Sequence, residues 1–399
     1  MRLRSRRCAT PKSFRGSGSG RPDPLYSNWV GLEPRSGTRH NLRHMAFGPA
    51  RDLDVTRRQL TDWLGRQLGS GAVPELSTLE IPQGSGFSNE TVLFDAQWRA
   101  GGAEQRGRFV VRIKPTGRAV FPEYDLGFQV RCMRTIAAHT DIPVPTVPWL
   151  EEDASVLGQP FFVMDRIDGQ VPSDNPPYAM MGWLAEASHD DQARLFRTSI
   201  DTLAKLHRLD WQGMGFQFLD RPRFGPVGMA QQLGYYREFL PWACGGDLPA
   251  SVAETFAWLE RNLPSDPGPT VLNWGDARIS NMMYRDFTPV AVLDWEMATL
   301  GPGEVDLAWF LFLNDFLTEA LGVPSLPGFP GQAALIAQYE AIVGRPTRDL
   351  YYYTMWAALR FTAIMVSIRE VLKAHGIDLG GSSGLDLAWV ALAKVRARG

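Results

Sequence analysis

Asp276, Asn281 and Asp294 have the types and the spacing to do chemistry together. In-line phosphoryl transfer needs one carboxylate facing the acceptor hydroxyl. It also needs an amide oxygen and a second carboxylate to hold Mg²⁺ against the nucleotide phosphates. The stretch Val271 to Glu296 supplies these groups in order, as Val-Leu-Asn-Trp-Gly-Asp-Ala-Arg-Ile-Ser-Asn and then Ala-Val-Leu-Asp-Trp-Glu. Each residue alone reads as turn chemistry or a helix cap; as an ordered set they point to ATP-dependent phosphoryl transfer. Arg278, two residues beyond Asp276, is close enough to contact substrate or phosphate, and a salt bridge within the loop is the other reading.

These residues converge only if the chain between them doubles back. The apolar run Ile279 to Tyr284, a turn over Asp286 to Pro289, and then Val290, Val292 and Leu293 predict a loop, a strand, a hairpin turn and a second strand ending at Asp294. Upstream, Asp54 to Leu68 reads as an opening helix with Asp54 as its N-cap. Leu79 to Ile81, Glu90 to Trp98, Arg108 to Ile113 and Val156 to Ile167 read as strand, and Asp125 to Ala138 as helix. The expectation is a sheet-rich small lobe over 46–168. A Pro-rich connection, Gly169 to Pro177, leads into a helical lobe over 169–399, with helices at Asp190 to Asp210, Val252 to Asn262, Val305 to Leu321, Gln332 to Val343 and Leu350 to His375. A nucleotide would sit in the cleft between the lobes.

Two features of the small lobe suit that nucleotide. Gly84 and Gly86, followed by Ser88 and Asn89, lie between strands, where glycines let backbone N–H groups approach phosphate oxygens; a plain hairpin turn is the alternative. In Phe109-Val-Val-Arg-Ile-Lys114, Arg112 and Lys114 fall on the same face of a strand. One of them would meet the α- and β-phosphates, and two exposed cations on a strand edge is the other reading.

The whole chain, 399 residues with 44% hydrophobic residues and a formal charge of −2, has room for two cored lobes. Near-neutral charge argues against a nucleic-acid binder, and no apolar run is long enough for a bilayer. Cys8, Cys132 and Cys244 suggest neither a disulfide framework nor a zinc site, and fit a reducing cytoplasm. No histidine lies in the proposed active segment. Residues 1–45 carry ten Lys and Arg against Asp23 and Glu33 and read as a disordered basic extension. A transit peptide is one account of it; a natural start at Met45 is the preferred one. Between Gly301 and Glu340, Glu304, Asp306, Asp315, Glu319 and Glu340 meet no Lys or Arg. They read as the solvated face of a helix or as a lining for a cationic acceptor.

The segment Trp274-Gly-Asp276, four residues, Asn281 and the later Leu-Asp294-Trp resembles the catalytic segment of aminoglycoside phosphotransferase-type kinases. That family has His-Gly-Asp where this chain has Trp274. Glu-Val-Asp306-Leu-Ala-Trp resembles the family's downstream Asp-Leu-Ala, with Asp306 a structural brace, and His207 resembles a structural position. The resemblance spans Leu79 to Leu311. Its phrasing is similar to a branch related to the kinase-like domain of some acyl-CoA dehydrogenases.

The resemblance implies an α+β bilobal protein-kinase-like fold and ATP and Mg²⁺ as cofactors. It makes Asp276 the base or orienting group, and Asn281 and Asp294 the metal ligands. It also implies a phosphate loop of the Gly-x-Ser-Asn kind at Gly86 to Asn89, and ranks Arg112 ahead of Lys114 as the phosphate-binding cation. Gln129 stands where a Glu would pair with that cation, so the pairing becomes a neutral hydrogen bond. Phe161 to Arg166 resembles a hinge, where exposed backbone groups of Met164 and its neighbours would bond adenine. The implied activity moves the γ-phosphate of MgATP to the hydroxyl of a small molecule, with a hydroxyacyl thioester as the favoured acceptor. A catalytically silent nucleotide-binding protein and an aminoglycoside-type antibiotic kinase are the alternatives. No nucleic-acid or membrane partner is expected, and oligomeric state is left open.

Overall fold

The computed structural model describes residues 51–69, 72–82, 89–246, 248–374, 376 and 392–397. The basic extension over 1–45, and Gly84, Gly86 and Ser88 of the expected phosphate loop, lie outside the described residues.

The first helix, α1 (Leu53–Leu68), places Leu60, Trp63 and Leu64 on one stripe at helical spacing, all buried. Its N-cap is Asp52, whose carboxylate accepts the Asp54 and Val55 N–H groups, so the cap falls two residues before the expected Asp54. That stripe covers one face of a five-stranded antiparallel sheet in the order β1 (Glu75–Leu76), β2 (Glu90–Ala100), β3 (Ala103–Ile113), β5 (Phe161–Asp165), β4 (Trp149–Glu151). Val92 and Phe94, Phe109 and Val111, and Phe161 and Val163 close the small core beneath it. Because side chains alternate along a strand, Thr91, Arg112, Phe162 and Met164 must point to the opposite face. Expected strand Val156 to Ile167 contracts to β5, and β4, too short to show a period, was not foreseen.

Helix α2 (Leu126–His139), capped by Asp125, joins the larger core instead of the small one. That core continues through α3 (His189–Leu206), α4 (Met229–Ala243), α5 (Ala250–Arg261), α6 (Glu304–Leu317), α7 (Gln332–Val343) and α8 (Leu350–Ala374). Sequence reading passed over α4, whose Gly234 and Pro241 weaken the local helical signal. Among the described residues, no helix is long and apolar enough to cross a membrane.

Two short ladders are set into the helical body. β6 (Thr270–Asn273) pairs with β9 (Thr299–Pro302), and β7 (Met282–Arg285) with β8 (Thr288–Val292). The β7–β8 turn passes through Asp286 and Phe287, both left-handed at φ 50° and 58°, as a tight hairpin requires. Pro289, expected in the turn, lies inside β8. The acidic group expected on a solvated helix face is partly buried: Glu304 and Asp306 are fully buried in α6. Glu304 is satisfied by Arg345 at 2.6 and 2.8 Å, from beyond the stretch that lacked cations.

Candidate active site

The β7–β8 hairpin brings Asp294 back to the loop that holds Asp276. The Leu293 N–H donates to the Asn281 carbonyl at 2.8 Å, which ties the end of the second strand to the short 3₁₀ turn carrying Asn281. Asp276 sits directly after β6, and Gly275 before it adopts φ 95°. A Cβ at Gly275 would lie 2.0 Å from the Met297 carbonyl oxygen, so this position requires glycine both for its backbone and for its clearance.

The Asp276 carboxylate accepts three hydrogen bonds. Trp309 Nε1 donates to Oδ1 at 2.8 Å, while Asn281 Nδ2 and Arg278 Nε donate to Oδ2 at 2.6 and 3.1 Å. A carboxylate has about four lone-pair sites, so roughly one remains for a further donor. Since the carboxylate can only accept, the Asn281 amide must turn its nitrogen to Asp276, which leaves Asn281 Oδ1 facing away as a ligand atom. Arg278 also contacts Asp174, which in turn accepts from Ser280. The salt-bridge reading of Arg278 therefore describes its geometry, with two carboxylates sharing it.

Asp294 is held in the left-handed region at φ 60°, an uncommon position for a residue with a Cβ. The Trp274 indole pins it there, donating to the carbonyls of Leu293 and Asp294 at 2.8 and 3.1 Å. Oδ1 of Asp294 is buried and has no hydrogen-bond partner among the described residues. Its Oδ2 lies 3.8 Å from Arg112, whose other nitrogen donates to Thr91 Oγ1 at 3.2 Å. Arg112 therefore faces Asp294 across the cleft. The hydrogen bond expected between Arg112 and Gln129 is absent among the described residues; buried Gln129 faces a cavity instead.

Burial lifts the Asp294 carboxyl above the ordinary carboxylate range and Asp276 adds to the lift, against Arg112, Arg278 and the Glu296 amide. Among the described residues, no cluster of three or more His, Cys, Asp or Glu side chains could hold a metal by itself. Mg²⁺ asks for less: one or two carboxylates, with phosphate oxygens and water completing the octahedron. The unpartnered Asp294 Oδ1 and the outward Asn281 Oδ1 fit that requirement.

A testable consequence follows from the lifted carboxyl. The folded state holds the Asp294 proton more tightly than the unfolded chain, so cation-free protein loses stability as pH rises above the ordinary value of 3.8 and through the raised titration. Asp294→Asn is expected to melt a few degrees higher than wild type at pH 7 without cation, with the gap closing towards pH 4. Calorimetry across that range checks it; a variant that melts lower at pH 7 contradicts it.

At the expected hinge, the backbone groups of Met164 differ from those of its neighbours. The Lys114 N–H to Pro160 carbonyl and Arg166 N–H to Arg108 carbonyl bonds set the alternation of the β3–β5 ladder. In that alternation Val110 and Met164 form a hydrogen-bonded pair, so the Met164 backbone groups are spent within the sheet. The groups left open beyond the strand are the Asp165 carbonyl and the Ile167 N–H, which have no partner among the described residues. Lys114 lies one residue beyond β3, with its N–H donating to the Pro160 carbonyl at 3.0 Å, and the Asn89 side chain is buried beside the start of β2.

Sequence reading missed Trp309, Asp174 and the reach of Arg360, whose Nη2 donates to the Gly275 carbonyl at 3.0 Å. A signal for Trp309 existed: it follows Asp306 by three residues on one helix, so both reach the same loop. Asp306 accepts the N–H groups of Trp274 and Gly275 at 2.6 and 2.9 Å. His207 spans from Asp306 at 3.2 Å to the Tyr339 hydroxyl at 2.8 Å.

Comparison with known proteins gives the family and the fold. The family model described as "Phosphotransferase enzyme family" matches residues 81–349. "Probable acyl-CoA dehydrogenase IBR3" of Arabidopsis thaliana is 24% identical over 318 residues, covering 75% of this chain but 37% of that protein. The chain thus spans little more than a third of that relative's length. A provisionally named aminoglycoside phosphotransferase from Ralstonia eutropha JMP134 has a similar fold, with TM-score 0.61, 22% identity, and coverage of 85% of this chain and 98% of the other. The GDP complex of aminoglycoside 2′-phosphotransferase-IIIa has TM-score 0.53 at 14% identity, covering 86% and 99%.

Proposed function

The chain belongs to the phosphotransferase enzyme family, and from that premise we propose that it moves the γ-phosphate of MgATP to the hydroxyl of a small molecule. The observation that carries this reading is the convergence of Asp276, Asn281 and Asp294, with Asp294 Oδ1 buried and unpartnered.

Asp276 receives the acceptor hydroxyl at its remaining lone-pair site and takes up the proton as the new O–P bond forms and the bond from phosphorus to the ADP oxygen breaks. Asn281 and Asp294 would hold Mg²⁺, which when bound would neutralise charge on the nucleotide phosphates. Arg112 meets the α- and β-phosphates, with Asn89 beside them. The Asp165 carbonyl and Ile167 N–H bond the adenine edge.

The favoured acceptor is a hydroxyacyl thioester, a reading supported by the likeness to an acyl-CoA dehydrogenase. The cysteine usage suits work in the cytoplasm. Absence of a Gln129 bond to Arg112 favours one competing reading, a protein that binds nucleotide without turning it over. Mg²⁺-dependent ADP release by the full chain, measured over hydroxyacyl-CoA, aminoglycoside and amino-alcohol acceptors, decides between them. Acceptor-stimulated release supports the kinase; nucleotide binding with no stimulation by any acceptor supports the silent protein.

A further inference from the structure

A cavity of about 220 Å³ lies between the start of α2, α4, the segment following Asp294, and α8. Tyr124, Gln129, Tyr236, Glu296 and Arg360 are among its walls. Arg360 is the unusual one. It is 2% exposed, donates from Nε to the Tyr236 hydroxyl at 3.3 Å and from Nη2 to the Gly275 carbonyl, and stacks 4.7 Å over the Trp309 ring. Its Nη1 is buried without a partner, and no carboxylate pairs with Arg360 among the described residues.

A guanidinium has five N–H donors and stays charged, so burying it without an anion is costly. None of the cavity's acids pairs with it: Glu123 is engaged by Arg221 at 3.8 Å and by Arg223, Asp125 accepts the Phe128 N–H at 3.1 Å, and Glu296 accepts from the Tyr124 hydroxyl at 3.0 Å. Arg360 also joins the cavity to the catalytic loop, because the Trp309 ring beneath it donates to Asp276 Oδ1. The missing oxygen acceptor is thus linked through Trp309 to the group proposed to receive a hydroxyl. The volume is below the roughly 300–1,000 Å³ that holds drug-sized ligands, and suits a small acceptor or one acyl arm of a larger one.

We propose that this cavity is the acceptor pocket and that Arg360 Nη1 makes it select a hydroxylated molecule bearing a carboxyl-derived oxygen, as a carboxylate or a thioester carbonyl. The proposal rests on the kinase reading and narrows its substrate class, against a polycationic acceptor.

Four probes test it on the full chain with a non-hydrolysable ATP analogue and Mg²⁺: 6-hydroxyhexanoate, its CoA thioester, 1,6-hexanediol and kanamycin. Thermal shift and tryptophan fluorescence read binding. One or both carboxyl-derived probes are expected to bind, and which of them does separates free acid from thioester. The diol, with equal chain length and hydroxyl, should bind at least tenfold more weakly. Arg360→Gln should weaken the carboxyl probes at least tenfold and raise their KM in turnover more than it lowers kcat, with Arg360→Lys intermediate. If Arg360→Gln fails to fold, discrimination between hydroxyhexanoate and the diol by wild type still decides. Preference for kanamycin or the diol, or silence from both carboxyl probes, overturns the proposal. Binding of the ATP analogue alone is measured separately, and its absence counts against the kinase reading itself.

Discussion

Asp276→Asn lowers acceptor-stimulated ADP release by about 10²–10⁴-fold, the range a positioned general base contributes, while nucleotide binding stays near wild type. Asparagine keeps the shape of the side chain and one oxygen, so Trp309 can still donate at the Oδ1 position. The other position becomes an amide nitrogen facing two donors, so Arg278 Nε loses its acceptor and Asn281 Nδ2 keeps only the backbone carbonyl of residue 276 at 3.2 Å. Proton uptake is lost together with the orientation of Asn281. Turnover measured beside nucleotide affinity separates this from a folding defect. Unchanged turnover in a folded variant removes Asp276 from the chemistry.

Removing Asp306 is expected to act on stability first. Its carboxylate is fully buried, accepts the two N–H groups that enter the catalytic loop, and meets His207 Nε2. Because a carboxylate cannot donate, the His207 proton must sit on Nε2 while Nδ1 takes the Tyr339 hydroxyl. Asp306→Ala strands the Trp274 and Gly275 N–H groups and unpairs His207. A loss of about 3–5 kcal/mol follows from breaking a buried ionic and hydrogen-bonded centre, read as a lower urea midpoint. Turnover should fall as well, since the loop before Asp276 loses its anchor. Asp306→Asn restores only one acceptor and should recover part of the loss. A Asp306→Ala protein as stable as wild type would mean that other contacts hold the loop.

The convergence of Asp276, Asn281 and Asp294 was legible because it is local. They flank one hairpin, and a hairpin's pairing follows from alternation and a turn, both written in adjacent residues. The helices over Gln332–Val343 and Leu350–Ala374 were equally readable from their length and apolar content. The family resemblance supplied the expectation of a bilobal fold and the phosphate cation Arg112, which faces Asp294.

Other features depended on packing between distant segments. Whether Met164 offers its backbone to a ligand turns on the hydrogen-bond parity of a ladder, and a shift of one residue reverses the answer. Glu304 looked solvated because its partner, Arg345, is 41 residues away. Asp174 reaches Arg278 across 104 residues, and Arg360 reaches Gly275 across 85.

By itself, then, the sequence determined the order of the candidate groups and the elements that present them, since those depend on neighbours along the chain. Only the tertiary structure decided which buried charges are satisfied and which, like Arg360 Nη1 and Asp294 Oδ1, have no partner among the described residues. That outcome depends on where every other polar group ends, and hydrophobic packing sets those positions without regard to separation along the chain.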